Sequence, residues 1–215
     1  MGTLKDQIAA YDEEKKARVP EAVLQTMAET TEELKQSGIE GGALKVGDQM
    51  PDFQLPDQNG ESRRLSDYLQ HGKVVLNVYR GGWCPYCNME MKVLHDTLPE
   101  ITAQGARLIG LTPELPDKAL STAERHDIDI DILSDAGNQV AEQLGLVFEL
   151  SEKLRPIYAK LGIDIPAYNG DESFKLPVPA TYIVGEDGQV LYAFVNADYT
   201  QRMEPLDIVA ALKGK

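Results

Sequence analysis

Apolar positions along the chain recur at two spacings, and the switch between them divides it. Over residues 3–38 the spacing is helical. Leu4, Ile8 and Tyr11 fall at i, i+4 and i+7, and Val23, Met27 and Leu34 mark the face of a second helix. Pro20 suits the first turn of that helix and Gly38 its end. Gly41-Gly42 reads as a hinge, after which the pattern changes. A short strand at 52–56, a turn at Gln58-Asn59-Gly60 and a helical turn capped by Ser66 lead into a nearly continuous apolar run, Val74, Val75, Leu76 and Val78. Such a run predicts a strand buried on both faces. An amphipathic stretch over 88–101 and a second apolar run over 107–112 follow. Strand, helix, strand at this length predicts a parallel βαβ unit with a right-handed crossover.

Beyond it, Pro116 opens a helix toward His126, Ile130 begins a short strand ending at Leu133, and Asp135 is placed to cap a helix over 137–144. Ser151 would cap another over 152–161, and 163–176 reads as a surface loop. Two runs, 178–184 and 189–195, flank Glu186-Asp187-Gly188 and predict an antiparallel hairpin. Residues 203–212 make a closing helix with Leu206, Val209, Ala210 and Leu212 as its apolar side. The expected organisation is a helical extension over 1–43 and an α/β domain over 44–215. The extension would be an arm packed on the main domain or a dimer arm of a homodimer, and no residue in it suggests chemistry.

Composition narrows the classes. The 215 residues are 42% hydrophobic, enough for a full core. A formal net charge of −14 speaks against nucleic-acid or anionic-membrane partners. No stretch approaches the roughly 18 consecutive apolar residues of a membrane span. The first 18 residues lack the central apolar run of a secretory signal, so a cytoplasmic location is expected. His71, His95 and His126 are scattered, and zinc takes about four ligands, so neither a metal nor another cofactor is expected.

The two cysteines carry the chemistry. Cys84 and Cys87 lie in Arg80-Gly-Gly-Trp-Cys-Pro-Tyr-Cys-Asn-Met-Glu90, between the first buried strand and the amphipathic helix. In a reducing compartment such a pair is redox-active more often than structural. Cys84 would sit near the N-cap, Pro85 at the first helical position and Cys87 about one turn in. There the helix's unpaired N–H groups and positive dipole end favour a thiolate, with Arg80 as an added cation. Trp83 is placed to shield the sulfurs or dock a partner, with packing alone as the equal alternative. Tyr86 should be partly exposed. Glu90 falls in the first turn, where a carboxylate is favoured, with proton transfer as its alternative role.

A C-x-x-C beside a βαβ unit points to a thioredoxin-like fold, a central mixed sheet flanked by helices. From about Lys45 onward the chain resembles the peroxiredoxin-like branch of the AhpC/TSA (alkyl hydroperoxide reductase/thiol-specific antioxidant) family. The carriers are Val46-Gly-Asp-x-x-Pro-Asp-Phe53, Tyr79-Arg-Gly-Gly-Trp-Cys-Pro-Tyr-Cys87, Leu176-Pro-Val-Pro-Ala-Thr-Tyr182 and Asp198-Tyr-Thr-x-Arg202. The resemblance implies a peroxidase in which Cys87 attacks a hydroperoxide and Cys84 resolves the sulfenic acid as a Cys84–Cys87 disulfide, with the reverse order as the alternative. Thioredoxin or another dithiol would re-reduce the pair. It also implies a cis peptide at Val178–Pro179, facing the cysteines. The chain departs from the family where Cys84 replaces the usual Thr/Ser, Arg80 replaces a proline, and Lys175-Leu-Pro-Val-Pro179 lacks the usual arginine. Rival readings are a disulfide reductase that meets no peroxide and a non-catalytic redox sensor. Arg202 is expected chiefly in a salt bridge.

Overall fold

The apolar run becomes the middle of a sheet. The computed structural model describes residues 2–214. In chain order the elements are α1 (Leu4–Arg18), α2 (Glu21–Gln36), α3 (Ile39–Gly42), β1 (Gln54–Pro56), β2 (Ser62–Arg64), α4 (Leu65–Leu69) and β3 (Lys73–Val78). Then come α5 (Pro85–Asp96), α6 (Leu98–Thr102), β4 (Ala106–Thr112), α7 (Pro116–His126), β5 (Asp131–Ser134) and α8 (Gln139–Gln143). The last are β6 (Val147–Glu149), α9 (Arg155–Lys160), α10 (Ile165–Asn169), β7 (Lys175–Pro177), β8 (Ala180–Val184), β9 (Val190–Val195) and α11 (Pro205–Leu212).

The five-stranded sheet has the order β5-β4-β3-β8-β9. β3 runs parallel to β4, with Val75 opposite Leu108, and antiparallel to β8, with Leu76 opposite Tyr182. Two small two-stranded antiparallel sheets, β1-β2 and β6-β7, lie outside it. Val75 faces a core shared with Met91 and Leu94 of α5, Ile208 of α11, and Leu4 and Ile8 of α1. Val74, Leu76 and Val78 face the other core, with Leu65 and Leu69 of α4 and Val140 of α8. Burial on both faces is why β3 shows no polar alternation. This is the mixed, helix-flanked sheet that the sequence pattern predicts. No helix among the described residues is long and apolar enough to cross a membrane.

The N-terminal helices join the main core. Thr3 caps α1 through a capping box with Asp6. The Glu204 carboxylate accepts from the Leu4 and Lys5 N–H groups at 3.2 and 2.7 Å. Leu4 is fully buried, a contribution of about 2 kcal/mol for such a side chain.

Several local expectations change. The helix expected over 88–101 divides, because Pro99 cannot donate a backbone hydrogen bond, and α6 restarts around it. Gly41-Gly42 closes a short helix instead of a hinge. The loop expected over 163–176 folds as α10 and β7, burying Ile165 and Leu176. On α11, Ile208, Val209 and Leu212 are buried, whereas Leu206 is 68% exposed and Ala210 also faces solvent.

The Val178–Pro179 peptide is trans, as no cis bond occurs among the described residues. This corrects the family-based expectation. Pro177 pairs with Val147, the Val178 N–H donates to Leu146 O, and Ala180 enters β8 opposite Val78. Anchored on both sides, the segment runs extended from one strand into the next. The trans form is also the intrinsically favoured X–Pro isomer, by about 0.5–1 kcal/mol.

Candidate active site

The site forms where β3 hands over to α5. Gly81 has φ +144°, and a Cβ there would stand 2.4 Å from Trp83 Nε1. A Cβ on Gly82 would fall 1.9 Å from Thr122 Oγ1. Only glycines let the chain pass here. Asn88 fixes the turn by donating its side-chain amide to Gly82 O at 2.8 Å. Cys84 then takes the N-cap of α5 and Pro85 its first turn. Both cysteines are free thiols and buried.

Their surroundings differ. Cys84 lines a groove of about 400 Å³ walled by Tyr11, Trp83, Tyr86, Tyr158 and Tyr199. Burial opposes its ionisation. The Cys87 thiol, Arg80, Arg202 and the Cys87 N–H outweigh that opposition and lower its pKa to about 6. Cys87 is raised, by burial first and then by the Cys84 sulfur, with Arg202 opposing. The two thiols titrate as a coupled pair in which Cys84 loses its proton first.

Two guanidiniums bracket the sulfurs. Arg80 is 2% exposed and donates to Tyr158 Oη at 2.8 Å. Its carbon lies 5.0 Å from the Trp83 ring centroid and 4.7 Å from that of Tyr199. Its Nε has no hydrogen-bond partner. Burial works against its charge, but the tyrosine hydroxyls and both sulfurs hold it cationic. Arg202 lies on the inner side, with Nη2 3.5 Å from Cys87 Sγ and Nε 2.8 Å from Glu90 Oε2. That contact is an ion pair whose N–H is not aimed at the oxygen, so it counts as charge pairing and not as a hydrogen bond. Burial raises the Glu90 pKa to about 7 against the pull of Arg202. The loop between β9 and α11 thus brings a guanidinium to Cys87.

The structure thus gathers Cys84, Cys87, Arg80, Trp83 and Glu90. Pro179 lies farther round, beside Arg80 and Tyr158 in a small separate cavity. Tyr86 is buried, contrary to the expected partial exposure. Its hydroxyl donates to Asp12 Oδ1 at 2.5 Å, and its ring meets Tyr11 and Tyr199 edge-on.

Sequence reasoning missed several residues. The fully buried Glu114 accepts from the Gly82 N–H at 3.0 Å, and burial lifts its pKa to about 7. Its place just beyond the C-terminal end of a parallel strand is a signal that could have flagged it. Tyr199 entered only as part of the Asp198-Tyr-Thr-x-Arg202 run, and Tyr158 had no signal of its own. Nor had Asp12 and Lys15, which α1 brings to the groove.

Comparison with known proteins agrees with this architecture. The AhpC/TSA family model matches residues 46–193. Peroxiredoxin Bcp of Escherichia coli is 35% identical over 108 residues, covering 50% of this chain and 69% of that protein. The crystal structure of peroxidoxin BcpB from Mycobacterium tuberculosis is 27% identical, with a TM-score of 0.63, and covers 80% of this chain and 97% of the other. PrxQ of Xylella fastidiosa, 14% identical, shares the fold with a TM-score of 0.63 over 80% of this chain and 96% of its own.

Proposed function

The chain belongs to the AhpC/TSA family, and from that premise we propose that it is a thiol-dependent peroxidase working through a Cys84/Cys87 dithiol–disulfide cycle. The observation that carries this reading is the Cys84 sulfur itself. It stands at a helix N-cap, is favoured as thiolate by Cys87 and two buried guanidiniums, and opens onto a groove. A free cysteine of pKa ~8.5 is only a few per cent ionised at neutral pH, whereas one near 6 is mostly thiolate.

In the cycle, Cys84 thiolate attacks one peroxide oxygen. The O–O bond breaks, and the leaving oxygen takes the electron pair and a proton from groove water to depart as alcohol or water. Cys84 is now a sulfenic acid. Cys87 sulfur attacks it, the S–O bond breaks, and a water molecule leaves with the Cys87 proton. Residues three apart on one turn can form the resulting disulfide. An external dithiol, of the thioredoxin kind, returns two electrons. The order of the sulfurs reverses the one the family resemblance implies, because Cys84 lines the groove and Cys87 does not. One observation favours the other order, the approach of Arg202 to Cys87 Sγ.

Sulfenic-acid trapping separates them. Cys87→Ser exposed to peroxide should give a trappable sulfenic acid at Cys84, and Cys84→Ser should lose peroxide consumption by about 10³-fold or more. A trapped sulfenic acid in Cys84→Ser alone would restore Cys87 as the attacking residue. Absence of peroxide-dependent thiol loss in the wild type, with insulin-disulfide reduction intact, would replace the peroxidase by a disulfide reductase. Redox-dependent capture of a partner without turnover would favour a sensor.

A further inference from the structure

The groove above Cys84 has a charge pattern opposite to that of the whole chain. The protein carries 35 Asp and Glu against 21 Lys and Arg, yet no carboxylate lines this groove. Three cations do: Lys15, Arg18 and Arg80. Arg80 is already committed, since its buried guanidinium favours the Cys84 thiolate. Lys15 is not. Its ammonium donates to Tyr86 Oη at 3.2 Å and Tyr199 Oη at 3.4 Å and lies 5.4 Å from the Tyr86 ring centroid. Three N–H donors with two neutral acceptors leave one donor unused. No salt bridge engages Lys15 among the described residues, and Asp12 reaches it through the Tyr86 hydroxyl. The remainder of the wall is apolar, with Val19, Met27, Leu161 and Ile163 beside the aromatic rings.

Resting on the peroxidase reading above, we propose that the groove selects hydroperoxides with an apolar body and an anionic end, and that Lys15 of α1 holds that end. Hydrogen peroxide would use none of the apolar wall. A neutral alkyl hydroperoxide would bring no charge to the third N–H of the Lys15 ammonium. An anionic one fills both, placing the charged end at Lys15 and the peroxide at Cys84. Lys15 lies outside residues 46–193, so the selectivity belongs to the appended helix and not to the family-matched stretch. It is a specificity residue: it meets the substrate away from the reacting atoms.

Trp83, the chain's one tryptophan, lines the groove and provides a fluorescence readout. Titration with octanoate and with octanol should show octanoate binding about fivefold to tenfold more tightly to the wild type, the scale of one charge-assisted hydrogen bond at a partly exposed site. Lys15→Gln should bring that ratio to about one, and Lys15→Arg should retain most of it. Lys16→Gln, which removes an exposed charge paired with Glu13 outside the groove, should leave it unchanged. In turnover, a hydroperoxy fatty acid should exceed its methyl ester in kcat/KM by a similar factor, through KM, and Lys15→Gln should erase the difference. Equal treatment of acid and ester by the wild type, or a ratio that survives Lys15→Gln, overturns the inference while leaving the peroxidase standing. Turnover of neither hydroperoxide sinks both.

Discussion

Cys84 and Cys87 share one helical turn but face two different electrostatic regions. On the groove side, Arg80 has aromatic rings and a tyrosine hydroxyl around it and no carboxylate. On the inner side, Arg202 is matched by Glu90. A buried cation already paired with a carboxylate has part of its field cancelled. One without a carboxylate stabilises whatever anion appears beside it. The Cys87 thiol is the first group to favour a thiolate at Cys84, and Arg80 adds to it ahead of Arg202. The Tyr158 hydroxyl and the Cys84 sulfur in turn let the Arg80 guanidinium tolerate burial.

Removing the inner cation should produce the largest structural effect. Arg202→Gln leaves Glu90 buried without its partner, and urea unfolding at neutral pH should show a loss of about 3 kcal/mol. Adding Glu90→Gln should recover much of that loss, because without Arg202 the buried Glu90 carboxyl must take up a proton at neutral pH and the amide need not. If the single variant is as stable as the wild type, the inner region is not a matched pair. Next in size is the groove-side cation. Ionised Cys84 accumulates as pH rises, so iodoacetamide alkylation should climb through a midpoint near 6 in the wild type. In Arg80→Gln the midpoint should move upward, to about 7–8, because the thiolate has lost its principal cation. An unmoved midpoint would shift the credit to Cys87 and the helix terminus. The smallest effect concerns the link between regions. Tyr86→Phe removes the hydroxyl that joins Asp12 and Lys15 to the cysteine helix. It should cost about 1 kcal/mol of stability and increase hydrogen exchange in α1. Unchanged exchange there would mean that Leu4, Ile8 and Glu204 alone hold the helix down.

Much of the fold around the cysteines is legible in the order of residues. The apolar run at Val74 to Val78, the C-x-x-C and Pro85 together locate a buried strand ending in a redox helix, and α7 runs from Pro116 to His126 as its proline predicts. Errors arise where the context is distant. Leu206 fits a helical stripe yet faces solvent, because the core meets Ile208 and Val209 instead. Tyr86 reads as partly exposed along the chain, but α1 covers it. Pro179 is expected in the family's cis form, but its neighbours' strand pairing keeps the segment extended.

What the sequence determined by itself was local. Periodicity, glycines, a proline at the first helical position and two cysteines three apart act through neighbours along the chain, so they specify the strand, the turn and the helix carrying both sulfurs. Which sulfur is the thiolate was decided by tertiary structure. Arg80, Arg202, Tyr158, Tyr199 and Lys15 come from separate stretches of chain. Their electrostatic influence depends on distance and burial, and neither is encoded at any one position.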